Sequence, residues 1–308
     1  MKILVLGHTG FLGSHVCRLL ASTSHEVFMS SRTTGTDLRD FENFEKLIVA
    51  TKPDVVINCA AHVGGIHYGI NHQAEIYIDN LLININLYKL ANLFGYRVLN
   101  PISNCAYPMD SIEFCENEIW NGPLDPTVLT YGSVRRLNLV ASSSFWNQFQ
   151  IRSINLVFPN LYGEGDHLDP VRAHALGAMT FRFLQAKLSG AEYVEVWGTG
   201  SPIREWFHVE DAARYVIESL SLTWTDEVFN IGWGAGISVL ELAHKIKACV
   251  EFKGEIRLNQ ALPDGAPCKI MNTDKARKVF TISPSIGLDE GISRTVQWYS
   301  SQLSRGNK

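Results

Sequence analysis

The chain begins with a short apolar run that leads directly into a glycine-rich loop and then into a helical pattern. The run 2–7 reads KILVLG, glycines stand at positions 7, 10 and 13, and apolar residues recur at helical spacing over 12–21. Glycine lets a backbone turn tightly and approach a pyrophosphate, whose charge then lies against the N–H groups at the start of the helix. The pattern G-x-x-G-x-x-G is weak alone, but between a strand and a helix it predicts a dinucleotide-binding loop. The residues expected to contact the cofactor here are Gly7, Thr9, Gly10, Phe11, Leu12 and Gly13.

Strands and helical patterns continue to alternate through the first half of the chain. Further β-rich runs cover 26–31, 54–59, 97–103 and 152–158, and helical spacing is clear over 72–95 and 131–149. Such alternation is typical of right-handed βαβ units, which build a parallel sheet covered on both faces. We predict an α/β fold, a Rossmann-type doubly wound parallel sheet with a smaller C-terminal substrate-binding domain.

The regular rhythm loosens after Pro159. Loops that contain Gly, Pro and Asp separate the remaining elements, over 159–170, 198–204 and 261–267. A smaller, more irregular part is therefore expected to close over the carboxyl edge of the sheet. We predict a dinucleotide-binding domain over 1–160, with a later return near 205–232, and a substrate domain over 161–308.

The composition is that of an ordinary soluble globular protein. The formal net charge is −4, from 27 Lys and Arg against 31 Asp and Glu, which argues against a general nucleic-acid binder. No apolar run approaches the roughly 18 residues that a membrane-spanning helix needs, and glycines interrupt the apolar N-terminus too early for a signal peptide. The six cysteines form no CxxC pair, which argues against a zinc ribbon or a secreted disulfide scaffold. We therefore expect a cytoplasmic protein with no metal site and with no membrane or nucleic-acid partner.

The end of the second predicted strand bears on the choice between the two nicotinamide cofactors. NAD-binding proteins often have an acidic residue there for the ribose hydroxyls, whereas this chain has Ser31 and Arg32. A hydroxyl and a guanidinium suit the 2′-phosphate of NADP. A lone arginine can equally face solvent, so the residue by itself leaves both interpretations open. We predict NADP rather than NAD, with Asp37 and Leu38 near its adenine.

Several longer segments resemble one family of dinucleotide enzymes. The segments are AAHVGG at 60–65, VGGI at 63–66, SNCAYP at 103–108, NLYG at 160–163, VWGTGSPIREWFHVED at 196–211 and PDGAPCK at 263–269. They resemble the extended short-chain dehydrogenase/reductases, and within them the GDP-L-fucose synthase family, over nearly the whole chain. The resemblance implies an NADP-dependent epimerase/reductase that acts on a GDP-linked 4-keto sugar. It also implies a homodimer, with the helices at 72–95 and 131–149 as its faces.

The resemblance implies a serine, a tyrosine and a lysine around the nicotinamide, and two of the three are present. Ser103 and Tyr131 match the hydroxyl pair, in which the tyrosine donates its proton to the C4 oxygen that the serine holds. The lysine expected four residues after the tyrosine is Arg135. Arginine keeps the positive charge that lowers the tyrosine pKa, but its planar group need not make the same ribose contact. Three interpretations stay open: a functional variant, a slowed reductase, or a protein without hydride transfer.

Epimerisation needs a second acid/base pair, because a C4 ketone acidifies the protons at C3 and C5. The resemblance implies Cys105 as the thiolate base and His174 as the acid on the opposite face. A lone cysteine is usually a small core residue, and a lone histidine is usually a surface or capping group. Dehydratases that resemble this fold place an acidic pair where this chain has Asn104 and Cys105, which argues against dehydration.

The other site residues that the resemblance implies fall into two groups. Those expected at the cofactor, besides the glycine loop, are Ala60, Ala61, His62, Tyr131, Arg135, Pro159 and Asn160. Those expected at the nucleotide sugar are Val63, Asn160, His174, Arg182, Trp197, Arg204 and Lys269. Guanidinium and ammonium groups suit a diphosphate, and a tryptophan offers a flat face to the sugar or base. The alternatives are Arg182 on a solvated helix face and Trp197 packed in a core, and Asn272 stands where an aspartate is expected.

Two other functions stay open on the sequence. One is a related enzyme with only the epimerase or only the 4-reductase activity, for example on a GDP-4-keto-heptose. The other is a non-catalytic dinucleotide-binding protein, which Arg135 motivates. Ser103, Tyr131, Cys105 and His174 argue against it, because an idle site has no need of that particular set.

Overall fold

The computed structural model describes residues 1–306 apart from Ile112 and Pro263. Of the motifs above, Pro263 therefore lies outside the described residues, as does the side chain of Ile66. The strands are β1 Lys2–Leu6, β2 Glu26–Ser30, β3 Val55–Asn58, β4 Arg97–Ser103, β5 Ser153–Phe158, β6 Asn160–Tyr162, β7 Tyr193–Trp197, β8 Ile203–Arg204, β9 Trp206–His208, β10 Asp226–Asn230, β11 Ile237–Ser238, β12 Glu255–Asn259 and β13 Cys268–Lys269. The α-helices are α1 Phe11–Leu20, α2 Phe41–Thr51, α3 Ile66–Asn71, α4 Gln73–Phe94, α5 Leu129–Phe149, α6 Ala175–Ser189, α7 Val209–Glu218, α8 Val239–Val250, α9 Asp274–Arg277 and α10 Leu288–Gly306.

The central sheet has six strands in the order β10-β5-β4-β3-β1-β2, and all its strand pairs are parallel. β1 has β2 on one side and β3 on the other, so the strand order reverses at β1. In an open α/β sheet such a reversal leaves a crevice at the carboxyl ends of the strands, where ligands bind. The predicted doubly wound parallel sheet is confirmed, and all five predicted strands lie in it.

The centre of the sheet is apolar because helices cover both of its faces. In β1, Ile3 and Val5 belong to one core cluster, on the α1 and α7 side, whereas Leu4 and Leu6 belong to another, on the α2 and α4 side. This split is the period of two that a strand imposes on its side chains. Burying each such side chain stabilises the fold by about 1.5–3 kcal/mol. The strand that precedes the glycine loop is therefore anchored from both faces.

The outer faces of α4 and α5 expose large apolar side chains. The two helices pack against each other, and the side chains that they leave exposed include Tyr77, Ile78, Leu82, Ile85 and Leu93 on α4, and Leu129, Leu137 and Val140 on α5. Contiguous exposed apolar patches commonly mark interaction surfaces. The predicted dimer faces thus have the character that a contact between copies requires, and the dimer itself stays a prediction.

The second half of the chain builds a separate apolar cluster beside the sheet. It is formed by α6, α8 and α10 together with the strand pair β7 and β12. Three two-residue strands form a small sheet in the order β11-β8-β13. Among the described residues, none of the helices combines the length and the apolar character needed to cross a membrane. The division into two domains at residue 160 stays a prediction.

Candidate functional site

The glycine loop leaves room for a pyrophosphate because its glycines pack on neighbouring backbone. The N–H of Gly7 donates to the carbonyl of Ser30 at 2.8 Å, and its φ of 74° is in the left-handed region. A Cβ on Gly7 would lie 2.7 Å from the nitrogen of Ala60, and one on Gly13 would lie 2.2 Å from the carbonyl oxygen of Gly7. Gly10 is the N-cap of α1 and places no side chain over its first N–H groups. These backbone groups fit the phosphates of a dinucleotide.

The segment after β2 contains the residues that are predicted to contact the adenosine half of the cofactor. Arg32 is exposed, and its side chain forms no hydrogen bond or ion pair with any described residue. The Thr33 hydroxyl lies 3.3 Å from the Thr9 hydroxyl, so this segment contacts the glycine loop. Asp37 is bound by Arg39 at 2.5 Å, and this arginine lowers the pKa of its carboxyl. The side chain of Leu38 is buried in the core, which leaves its backbone for any contact.

Tyr131 and Ser103 lie where β4 ends and α5 begins. A Cβ on Gly132 would lie 2.3 Å from the carbonyl oxygen of Cys105, so the first turn of α5 packs on the backbone that follows β4. The hydroxyl of Ser103 accepts a hydrogen bond from the Cys105 N–H at 3.2 Å. Burial raises the pKa of Tyr131, and the nearby charge of Arg135 opposes that shift. The phenol is therefore a protonated group at neutral pH, which suits a proton donor.

Arg135 is buried beside Tyr131, and its guanidinium is hydrogen-bonded to a residue of the neighbouring helix α4. Its guanidinium lies 4.7 Å from the centre of the Tyr131 ring, and it donates to Oδ1 of Asn80 on α4 at 3.1 Å. The amide of Asn80 in turn donates to the carbonyl of His62 at 2.9 Å. The Nε of Arg135 is buried without a partner among the described residues. Asn80, which the sequence did not single out, fixes the arginine that replaces the expected lysine.

His174 is fixed by a buried carboxylate beside the glycine loop. Its Nδ1 lies 2.9 Å from Oδ1 of Asp166, and its backbone N–H donates to Oδ2 of the same residue at 2.9 Å. The imidazole lies 5.1 Å from the ring of Phe11, at the start of α1. Burial lowers the pKa of His174, but Asp166 outweighs burial and the net shift is upward. An imidazole held in this way keeps its proton more readily and can act as an acid.

The backbone at 171–173, just before His174, lies against Gly65 of the VGGI motif at 63–66. A Cβ on Gly65 would lie 2.9 Å from the carbonyl oxygen of Val171, so only glycine allows this approach. His62 is held on both ring nitrogens, with Asp79 at 2.8 Å from Nδ1 and the Tyr68 hydroxyl at 2.7 Å from Nε2. Of the other residues predicted here, Val63 and Ala60 are half-buried, Ala61 is exposed, Pro159 is buried and Asn160 is half-buried.

The structure places the two predicted diphosphate-binding cations next to each other. Arg204 on β8 and Lys269 on β13 are register partners in neighbouring parallel strands. Oδ2 of Asp125, a residue not predicted from the sequence, lies 3.9 Å from the Lys269 ammonium. Burial lowers the pKa of Arg204, and nearby acidic groups including Asp125 oppose that shift. The cluster thus brings two cations together, with Asp125 beside Lys269 and with Asp125 and Asp264 near Arg204, and a pair of neighbouring cations suits an anionic group.

Arg182 and Trp197 form no hydrogen bond with the cluster of Arg204, Lys269 and Asp125 among the described residues. The guanidinium of Arg182 donates to the carbonyl of Glu195 at 3.1 Å and is half-buried rather than fully solvated. Trp197 ends β7 and is 41% exposed, so it is not packed in a core. Within the described residues no hydrogen bond joins either side chain to Arg204 or Lys269. Their role at the nucleotide sugar stays a prediction.

The sequence and the fold are similar to those of proteins whose names state an activity. A curated relative, putative GDP-L-fucose synthase 2 of Arabidopsis thaliana, is 33% identical over 97% of this chain and 91% of its own. A solved GDP-mannoheptose C4 reductase from Campylobacter jejuni with NADP bound is 25% identical, has a TM-score of 0.85, and covers 97% of this chain and 98% of its own. A solved GDP-6-OMe-4-keto-L-xylo-heptose reductase from C. jejuni shares the fold with a TM-score of 0.91, at 24% identity over 98% of both chains.

The family model described as the NAD dependent epimerase/dehydratase family matches residues 3–232, which include the glycine loop, Ser103, Tyr131 and His174. The match agrees with the resemblance that the sequence motifs indicate. The chain belongs to the NAD dependent epimerase/dehydratase family.

Proposed function

We propose that this protein is an NADP-dependent epimerase/reductase that acts on a GDP-linked 4-keto sugar. The observation that carries the proposal is the position of the candidate acid/base residues, at the carboxyl end of β4 and beside the glycine loop that follows β1. Tyr131 lies with Ser103 and Cys105 at the end of β4, and His174 lies beside the glycine loop. The name of the A. thaliana relative, which includes GDP-L-fucose, supports a GDP-linked sugar at this site.

The residues at the glycine loop and after β2 hold the cofactor. Backbone N–H groups at the start of α1 bind the pyrophosphate, and Arg32 binds the 2′-phosphate. When bound, the reduced cofactor supplies a hydride to C4 of the sugar. The solved C. jejuni reductase with NADP bound supports this choice of cofactor.

The reduction depends on a proton that the protein delivers to the C4 oxygen. Tyr131 donates its phenolic proton to that oxygen, and Ser103 holds the oxygen by a hydrogen bond. Arg135 places a positive charge 4.7 Å from the ring centre of the tyrosine, which favours the phenolate left behind. The hydrogen bond from Arg135 to Asn80 favours this position of the long arginine side chain.

The epimerisation uses the other pair. The C4 ketone acidifies the C–H groups on either side of it, so the Cys105 thiolate can remove a proton there. His174 returns a proton to the opposite face, and Asp166 keeps the imidazole oriented for this transfer. Inversion at C3, at C5 or at both precedes reduction at C4, because reduction removes the acidifying ketone.

A reductase without epimerase activity is the second candidate. No hydrogen bond joins a basic group to the Cys105 thiol among the described residues. The C. jejuni neighbour named as a C4 reductase of GDP-mannoheptose also points in this direction.

One incubation tests both candidates. The purified protein is mixed with NADPH and GDP-4-keto-6-deoxymannose in D₂O. Loss of absorbance at 340 nm reports reduction, and deuterium at C3 or C5 reports epimerisation. Reduction with deuterium entry supports the leading proposal, reduction without it supports the second candidate, and neither signal contradicts both.

Arg32→Ser is expected to raise the KM for NADPH by about 10–100-fold, the usual worth of a charge-assisted hydrogen bond to phosphate. The KM for NADH should stay within about threefold of the wild-type value, since that cofactor has no 2′-phosphate. Initial rates at 340 nm with each cofactor measure both. Arg305→Ser, which removes an exposed arginine near the C-terminus of α10, is the matched control. An unchanged KM for NADPH would contradict the assignment of Arg32.

Arg135→Lys is expected to keep the reduction rate within about threefold of wild type or to raise it, because the charge beside Tyr131 remains. Arg135→Gln, which removes the charge, is expected to slow reduction by at least about tenfold. Single-turnover rates at saturating NADPH separate this effect from cofactor binding. Inactivation by the lysine variant would show that the site depends on the guanidinium itself.

We further propose a cytoplasmic homodimer that associates through the exposed faces of α4 and α5, and two domains with the boundary near residue 160. The six cysteines, all free in the structure, suit a reducing compartment.

A further inference from the structure

Glu205, which directly follows the diphosphate-binding candidate Arg204, is buried and is bound by backbone N–H groups, with the charge of Arg277 nearby. It is 0% exposed and forms no ion pair among the described residues. Its Oε1 accepts the N–H groups of Trp233 and Gly234 at 2.6 and 3.0 Å, and its Oε2 accepts that of Met271 at 2.8 Å. Burial raises the pKa of this carboxyl to about 7, although the three N–H groups oppose the shift. Burying an acidic side chain without an ion pair costs free energy, so this residue is expected to have a structural or functional role.

The three N–H groups belong to two separate loops, one before β11 and the other after β13. The strands of the small sheet, β8, β11 and β13, are two residues long, and such short pairings are not stable by themselves. The carboxylate joins the ends of the two outer strands across β8. A Cβ on Gly232 would lie 2.1 Å from Oε1 of Glu205, so a glycine is needed for the carboxylate to fit.

The backbone of Glu205 also connects the predicted substrate residues. Its N–H donates to the carbonyl of Lys269 at 3.3 Å, and its own carbonyl accepts from the amide of Asn160 at 3.0 Å. Lys269 lies beside Arg204, and like charges on neighbouring strands repel each other. The small sheet must therefore be held together at the point where its two cations meet.

We propose that Glu205 is a positioning residue, which holds Arg204 and Lys269 side by side so that they bind the two phosphates of a nucleoside diphosphate. The inference rests on the proposed function, since it takes the diphosphate of the substrate as the ligand. Only a carboxylate satisfies three converging N–H groups without adding a donor of its own. A glutamine keeps one carbonyl oxygen but turns an NH₂ group toward an N–H on the other side.

The test is calorimetric titration of GDP and, separately, of NADP⁺ into the wild type and into Glu205→Gln. The variant is expected to bind GDP at least tenfold more weakly and NADP⁺ within twofold of wild type. Glu255→Gln makes the same substitution at an exposed glutamate on β12 and should leave both affinities unchanged. Equal loss of GDP and NADP⁺ binding would show that Glu205 holds the whole fold together, and would overturn the proposal.

A double-mutant cycle with Lys269→Gln tests whether Glu205 acts through the cations. If it does, Glu205→Gln costs at least tenfold in GDP affinity in the wild type but less than threefold when Lys269 is already glutamine. Equal losses in the two backgrounds would overturn the proposal. Unchanged GDP binding by Glu205→Gln would also overturn it and leave the proposed function standing, whereas a wild type that binds no GDP would overturn the proposed function itself.

Discussion

Tyr131→Phe is expected to lower the rate of C4 reduction by about 10²–10⁴-fold, the usual worth of a general acid. The substitution removes the proton donor and keeps the ring that contacts Arg135, so packing at the start of α5 is preserved. The measurement is the single-turnover loss of absorbance at 340 nm with saturating NADPH and 4-keto sugar.

The pH dependence of the same rate provides a second readout. Burial raises the pKa of Tyr131 above its ordinary value, which is near 10 for a phenol. At neutral pH the phenol therefore carries its proton and can donate it. We expect the wild-type rate of reduction to fall only at alkaline pH, where Tyr131 loses that proton. The phenylalanine variant should lack this alkaline decline.

Tyr193→Phe is the matched control, because it removes the hydroxyl of an exposed tyrosine on β7 that packs on Arg257. It should reduce the sugar at the wild-type rate. A Tyr131→Phe rate within threefold of wild type would remove this residue from the mechanism, and the proton would then have to come from another group.

The parts of this site that depend on local sequence are visible without a structure. The glycine loop between β1 and α1 follows from glycine spacing next to an apolar run. Tyr131 and Arg135 are four residues apart on one helix, so they face the same side of it, and the structure places the guanidinium over the ring. The positions of the glycine loop and of the Tyr131–Arg135 pair depend only on a single strand or helix, and the hydrophobic pattern predicts those elements.

The supporting contacts depend on the path of the chain, and no sequence period reports them. Asn80 reaches Arg135 across 55 positions of sequence because α4 and α5 pack together. Asp166 reaches His174 because the loop between them turns back. Along a regular helix or strand, residues eight apart are too distant for their side chains to meet. β8 and β13 are too short to show any alternation, so the pairing of Arg204 with Lys269 is visible only in the fold.

Cys105→Ser is expected to reduce deuterium entry at C3 and C5 by at least about 10²-fold. A serine hydroxyl is far less readily ionised than a thiol, so the variant lacks the base that removes the proton. The rate of C4 reduction should fall by less than about tenfold. The hydrogen bond from residue 105 to Ser103 comes from the backbone N–H, so the serine variant keeps it. Tyr131 and its contact with Arg135 are likewise unchanged.

The split between the two readouts distinguishes a base from a packing residue. If Cys105 only packed behind Ser103, its loss would displace the serine hydroxyl and slow reduction and deuterium entry together. Cys249→Ser makes the same substitution at an exposed cysteine of α8 and should change neither. Equal losses in both readouts would therefore contradict the division of roles. A wild type that reduces the sugar without deuterium entry would instead identify a reductase, in which Cys105 has no proton to remove.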